Sequence, residues 1–224
     1  MSLTVVYEDN HLLCVIKPRN MPVQADSSGD PDLLTLCGAY IKEKYGKPGD
    51  VYIGLVHRLD RPVGGVMVFA RTSKAASRLS EQIRLHTLKK TYFAVVCGSA
   101  PNSGRLENWL LKDENTHSSA VVSAGTAGAK QAVLTFEKLD EADGFCLLKI
   151  ALETGRHHQI RVQLASAGFP IWGDQRYNPE AVTGQQLALY ADALRFVHPT
   201  KKTPVSVSAP LPNEYPWSIF KGML

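Results

Sequence analysis

The chain is short of the features that most readily declare a function. Its four cysteines, Cys14, Cys37, Cys97 and Cys146, lie far apart and form no Cys-x-x-Cys pair. That spacing indicates neither a zinc knuckle nor a dense disulfide framework, and reduced, partly buried thiols in a cytosol are expected. No stretch approaches the ~20 apolar residues of a membrane span. The start, Met1-Ser2-Leu3-Thr4-Val5-Val6-Tyr7-Glu8-Asp9, lacks the basic opening and apolar segment of a secretion signal. A soluble cytoplasmic protein with no membrane partner is expected. Charge of one sign is scarce too: 25 Lys and Arg against 21 Asp and Glu leave +4, which favours a polyanion without dictating one. No repeat, low-complexity tract or linker is present, so residues 1–224 are expected to form a single domain with its own core.

What the chain does have is one concentrated stretch. His57-Arg58-Leu59-Asp60 is followed by Arg61-Pro62-Val63-Gly64-Gly65 and the apolar run Val66-Met67-Val68-Phe69-Ala70. A carboxylate between two arginines, on a turn that Pro62 and two glycines make tight, reads as a reactive group on a rigid platform. The same residues also suit a plainer reading, in which Asp60 only caps the turn before Pro62.

Around this stretch, Val5–Tyr7 and Leu12–Ile16 predict a hairpin that leads to Lys17-Pro18. Asp30 as cap, Pro31 as first residue and Gly46 as stop predict a helix with Leu33, Leu34, Cys37, Tyr40 and Ile41 on one face. A second helix, capped by Thr72 or Ser73, turns Ala76, Leu79 and Ile83 inward; its Lys74, Arg78 and Arg84 are either solvated or phosphate-contacting. Lys89–Val96 reads as a strand, with Tyr92 either a core aromatic or a stacking platform. Residues 99–128 predict short strands and mobile connections, and 132–152 a long hairpin split at 140–144. Strands at Leu187–Ala191, Leu194–Val197 and Pro204–Val207 precede a short terminal helix bearing Trp217, Ile219 and Phe220.

The second informative stretch is Glu153-Thr154-Gly155-Arg156-His157-His158-Gln159-Ile160-Arg161-Val162-Gln163-Leu164. Thr154 as start and Gly168 as stop predict a helix on which His157 and Arg161, one turn apart, share a face. No acidic or cysteine partner stands at ligand spacing, so the paired histidines read as hydrogen-bonding groups and no metal is expected.

Together these stretches resemble the RluA family of RNA pseudouridine synthases. Four blocks carry the likeness in the family's order: Ile16-Lys17-Pro18 with Val23, His57-Arg58-Leu59-Asp60 with Gly65, Lys90-Thr91-Tyr92-Phe93-Ala94, and Thr154 through Arg161. Gly173-Asp174 and Phe196-Val197-His198-Pro199 are also similar to its pattern, and the likeness runs from about Tyr7 to Pro216. The resemblance implies an α+β fold: a mixed, mainly antiparallel central sheet, flanking helices and a cleft between two lobes. It implies isomerisation of uridine to pseudouridine in structured RNA, ribosomal or transfer, by a monomer needing no cofactor. It implies that Asp60 is the essential carboxylate, that Arg161 pairs with it, and that Tyr92 stacks on the target uracil. Arg58 would fill the space the everted nucleotide leaves, and Lys17, Arg61, Arg156 and His157 would hold RNA; Lys17, Arg61 and Arg156 are equally read as surface charges.

Two departures from the pattern, Val63-Gly64-Gly65 and Gln163, are expected beside the site. Many relatives carry a small N-terminal RNA-binding domain for which this chain has no room, so its own surface or a partner is expected to select the target. An inactive RNA-binding or RNA-folding module on the same scaffold is the competing expectation, and hydrolysis of a nucleosidic bond a third.

Overall fold

A computed structural model describes residues 3–222, which fall into two units: 3–90 with 191–210, and 91–190 with 211–222. The first unit opens on the hairpin of β1 (Thr4–Glu8) and β2 (Leu12–Lys17). Asp9 makes its turn. One carboxylate oxygen accepts the backbone N–H of His11 and Leu12 at 2.8 and 2.9 Å; the other accepts Tyr7 Oη, His198 Nε2 and Lys201 Nζ. Burial pushes this carboxyl up, but the Lys201, His11, His198 and Leu12 hydrogen bonds outweigh it and hold Asp9 well below the usual carboxylate range.

β2 pairs antiparallel with β4 (Gly64–Ala70), which also carries the short β3 (Gly54–Leu55). Every residue of β4 is buried, and burial of both faces is why its sequence is apolar without alternation. Helix α1 (Leu33–Tyr45) buries Leu33, Cys37 and Ile41 and ends at the left-handed Gly46. Its cap is Asp32, not Asp30: the Asp32 carboxylate takes the Thr35 N–H at 2.9 Å and the Thr35 hydroxyl at 2.7 Å. Helix α2 (Ser73–Arg84) is capped by Thr72 and buries Ala75 and Leu79, while Ala76, half-buried, lies against Gly54 of β3. Gln82 grips both backbone groups of Val197, and Arg78 donates to the Pro199 carbonyl at 2.7 Å, which accounts for that arginine structurally. Val197 ends β10 (Leu189–Val197), whose later half pairs with β11 (Pro204–Ser208).

The second unit is built on antiparallel strands. After β5 (Lys89–Cys97) come β6 (Ser103–Asp113), β7 (Ser118–Val122), β8 (Lys130–Ala142) and β9 (Phe145–Leu152), with antiparallel pairing of β7 to β6, β6 to β8 and β8 to β9. Asp143 and Gly144, both at positive φ, close the β8–β9 hairpin as a two-residue turn. β6 corrects the reading of 99–128 as short strands: it runs for 11 residues. Helix α3 (Gln159–Ser166) packs on β6 and β7, and a 3₁₀ turn at Trp217–Phe220 buries Trp217 and Phe220. The class is α+β with mainly antiparallel pairing. Cys14, Cys37 and Cys146 are buried, and burial pushes the first two thiols up to about 12. Among the described residues no helix is long and apolar enough to cross a membrane.

Candidate active site

The Asp60 turn is built from three fixed points. Its backbone carbonyl accepts the Val63 N–H at 3.0 Å, closing a turn over Arg61 and Pro62. His57, three residues earlier, is buried and its Nε2 accepts the Val68 N–H of β4 at 3.1 Å. Burial and the nearby Lys90 charge push His57 down to about 3, so it stays neutral and serves as a staple. The third point is Gly65, at φ +123°, where a Cβ would lie 2.1 Å from the carbonyl oxygen of Ala191 in β10. Leu59 points inward, Arg58 is exposed, and Asp60 is half-buried.

Lys17 overturns its reading as an RNA-holding or surface charge. It pairs across the β2–β4 ladder with Gly65, is 0% exposed, and its Nζ donates to the carbonyls of Pro18 and Arg61, each at 2.9 Å. The lysine braces the Asp60–Arg61 turn from beneath, where phosphate does not reach it. Burial pushes its ammonium down from 10.5 to about 7, against the pull of the Asp60 carboxylate. Between those values the unfolded chain binds a proton that the folded one has released. This group's share of stability is therefore complete above 10.5 and is lost as pH falls through 7. In urea melts from pH 7 to 9, wild type should gain on Lys17→Met by up to about 1.4 kcal/mol per pH unit. Parallel pH curves would show that Lys17 does not titrate in this range.

Arg61 is exposed but engaged. It donates to Ser28 Oγ at 3.0 Å, lies 3.5 Å from Asp26 and forms a close ion pair with Asp30, all on one exposed loop. Charge is uneven between the units. The first carries 16 lysines and arginines against 10 aspartates and glutamates, the second 9 against 11.

Arg161 lies in the second unit, in α3, and is 6% exposed. Asp174, fully buried, grips it as a fork: Nε to Oδ2 at 2.8 Å and Nη2 to Oδ1 at 2.7 Å. The guanidinium carbon stands 5.2 Å from the Tyr177 ring centre. The Tyr177 hydroxyl oxygen accepts the Ser119 N–H at 2.7 Å and bonds His158 Nδ1 at 2.8 Å. The sequence marks Asp174 only through the Gly173-Asp174 block and gives no signal for Tyr177.

The helix that carries Arg161 starts later than expected. His158 is at φ +52°, which breaks helical geometry before Gln159, so His157 precedes α3 and is not one helical turn below Arg161. His157 stacks on His158 with ring centres 3.8 Å apart, and its Nδ1 meets Ser119 Oγ at 3.0 Å. Arg156 is exposed and donates from Nε to the Gln131 carbonyl at 2.9 Å. Tyr92 is a buried residue of β5. Gln163 is scaffold: buried, it donates to the carbonyls of Leu106 and Ala132 and to Asn108 Oδ1, tying α3 to β6 and β8.

A family model described as RNA pseudouridylate synthase matches residues 11–166. An uncharacterised RNA pseudouridine synthase of Bacillus subtilis is 34% identical over 217 residues, covering 96% of this chain and 71% of that protein. Ribosomal large subunit pseudouridine synthase D of Neisseria meningitidis is 35% identical over 227 residues, covering 96% of this chain and 59% of that protein. The chain thus spans between 59% and 71% of the length of these two curated relatives. In fold it is similar to the solved human RNA pseudouridylate synthase domain containing 4, with a TM-score of 0.78 at 22% identity over 93% of this chain and 88% of that one. On the match over residues 11–166 and the Bacillus relative, the chain belongs to the RNA pseudouridylate synthase family of enzymes.

Proposed function

We propose that this chain converts uridines of ribosomal RNA to pseudouridine with Asp60 as the essential carboxylate. The observation that carries the reading is the Asp60 turn, locked by Gly65, braced by Lys17 and flanked by Arg58 and Arg61, in a member of this family. The reaction breaks the bond from the ribose carbon to N1 of uracil, turns the base, and joins C5 to the same carbon; C5 gives up its proton and N1 takes one up. No atom or electron is gained overall, so neither cofactor nor metal is required. Asp60 acts as nucleophile at the sugar carbon, as base toward a sugar proton, or by addition at uracil C6, and each role needs the ionised form. In this reading Arg161 pairs with Asp60, Tyr92 stacks on the uracil, and Arg58 fills the gap left by the everted nucleotide. Both units then work as one catalytic domain, as a monomer in the cytoplasm, and transfer RNA is a further substrate class.

The charge surplus of the first unit supports placing the RNA backbone there, with Arg61, and Arg156 and His157 of the second unit, as further contacts. Purified protein should release tritium from ribosomal RNA labelled at uridine C5. RNA binding without tritium release would instead identify a binding module, and free uracil a hydrolase. The loop pairs on Arg61 are exposed and therefore weak, so a phosphate can displace them. Replacing Asp26 and Asp30 together by Asn should tighten RNA binding about threefold and add roughly 0.7 to the log–log salt slope. Unchanged affinity across a salt series would remove Arg61 from the RNA contact.

A further inference from the structure

We infer that Asp174 and Tyr177 are positioning residues for Arg161, fixing which edge of its guanidinium meets the reacting nucleotide's site. The inference rests on the proposed pairing of Arg161 with Asp60. An arginine offers five N–H donors on a long flexible stem, and one held only by its helix samples many directions. Here the direction is set three times over. The Asp174 fork takes the Nε–Nη2 edge and so fixes the plane and the direction of the guanidinium, with Nη1 outside the fork. The Tyr177 ring lies against the guanidinium, opposing its rotation. Asp174 is itself immobilised: its Oδ1 also accepts the N–H of Arg176 at 3.0 Å and of Tyr177 at 3.2 Å.

The loop that carries these groups is anchored at both ends. Gly173 precedes it at φ +73°, where a Cβ would sit 2.6 Å from the Gln186 carbonyl oxygen. At its far end two successive residues grip the β6–β7 hairpin, Arg176 through the Thr116 carbonyl at 2.5 Å and Tyr177 through the Ser119 N–H. A surface loop with no role beyond connection does not need a buried carboxylate, a stacked ring and two such ties. The arrangement suits a reaction that needs one cation held still.

The test measures kcat and KM on uridine-C5-tritiated ribosomal RNA for Asp174→Asn, Asp174→Glu and Tyr177→Phe, alone and combined with Arg161→Met. Asp174→Asn should lower kcat about 10²-fold with KM within about threefold of wild type, and Asp174→Glu should recover about tenfold of that loss. Tyr177→Phe keeps the ring but frees it from Ser119, and should lower kcat about fivefold; in the Arg161→Met background neither loss should recur. Unchanged kcat in the folded variants, a change confined to KM, or a full loss persisting without Arg161 would each overturn the inference. Should Asp174→Asn not fold, Tyr177→Phe decides by the same criteria. An active Asp60→Asn enzyme sinks the site reading, whereas an inactive one beside a fully active Asp174→Asn sinks only the positioning role.

Discussion

Asp60→Asn should leave tritium release from C5-labelled RNA at least ~10³-fold below wild type, with the unfolding midpoint nearly unchanged and RNA affinity within about threefold. The substitution separates chemistry from architecture at this position. The turn bond to Val63 is made by the Asp60 backbone carbonyl, which asparagine keeps, and the half-buried side chain is exchanged for one of the same shape. The Lys17 brace reaches the Arg61 carbonyl, again backbone, and survives as well. What is lost is the negative oxygen. An amide neither attacks a sugar carbon, nor removes a sugar proton, nor adds to uracil C6, so all routes open to Asp60 close together. Activity above a tenth of wild type would take Asp60 out of the mechanism.

Gly65→Ala should cost about 4 kcal/mol or more in urea unfolding and deprive the protein of most of its soluble yield. The obstacle is backbone, not a side chain that can swing aside: the Ala191 carbonyl oxygen, nitrogen and carbonyl carbon lie 2.1, 2.6 and 2.7 Å from where the methyl would be. The φ of +123° adds conformational strain to the collision. Gly46→Ala is the matched control. That residue is also left-handed, at φ +57°, but nothing lies within 4 Å of its added carbon, so only about 1 kcal/mol should be lost. Equal losses at the two sites would show that close approach of β4 to β10 is not what reserves position 65 for glycine.

Much of the framework was legible because local chemistry and packing agree. The β1–β2 hairpin, the Thr72 cap, the Gly46 stop and the β8–β9 hairpin all follow from residues acting on near neighbours. The misses have one physical character: a side chain was drawn away by a distant partner. Asp30 was a sound cap on paper, but it pairs with Arg61, leaving Asp32 with its reciprocal Thr35 to start α1. Thr154 was a sound helix start, but its hydroxyl bonds Gln159 and takes the Val133 N–H, and the chain turns left-handed at His158 before helix begins. The inward polar Asn108 masked the alternation of β6, because its partner Gln163 is 55 positions away. At the candidate site the motif residues were legible and their supports were not. Lys17 reads as a surface cation until the ladder pairs it with Gly65, and Asp174 reads only as part of the Gly173-Asp174 block until α3 delivers Arg161 to it.

The division of the chain sets an order on its biosynthesis. Residues 1–90 leave the ribosome first, yet their unit closes only when 191–210 follow, so its outer strand and the imidazole that answers the Asp9 carboxylate arrive a hundred residues late. In that interval the strands of 91–190 are already made, although their own unit still awaits the segment that carries Trp217 and Phe220. A nascent polypeptide stalled near residue 190 would therefore expose the flank of β4 that β10 later covers, on a strand buried at every residue in the finished unit, and it is at this stage of elongation that chaperone capture has its natural window.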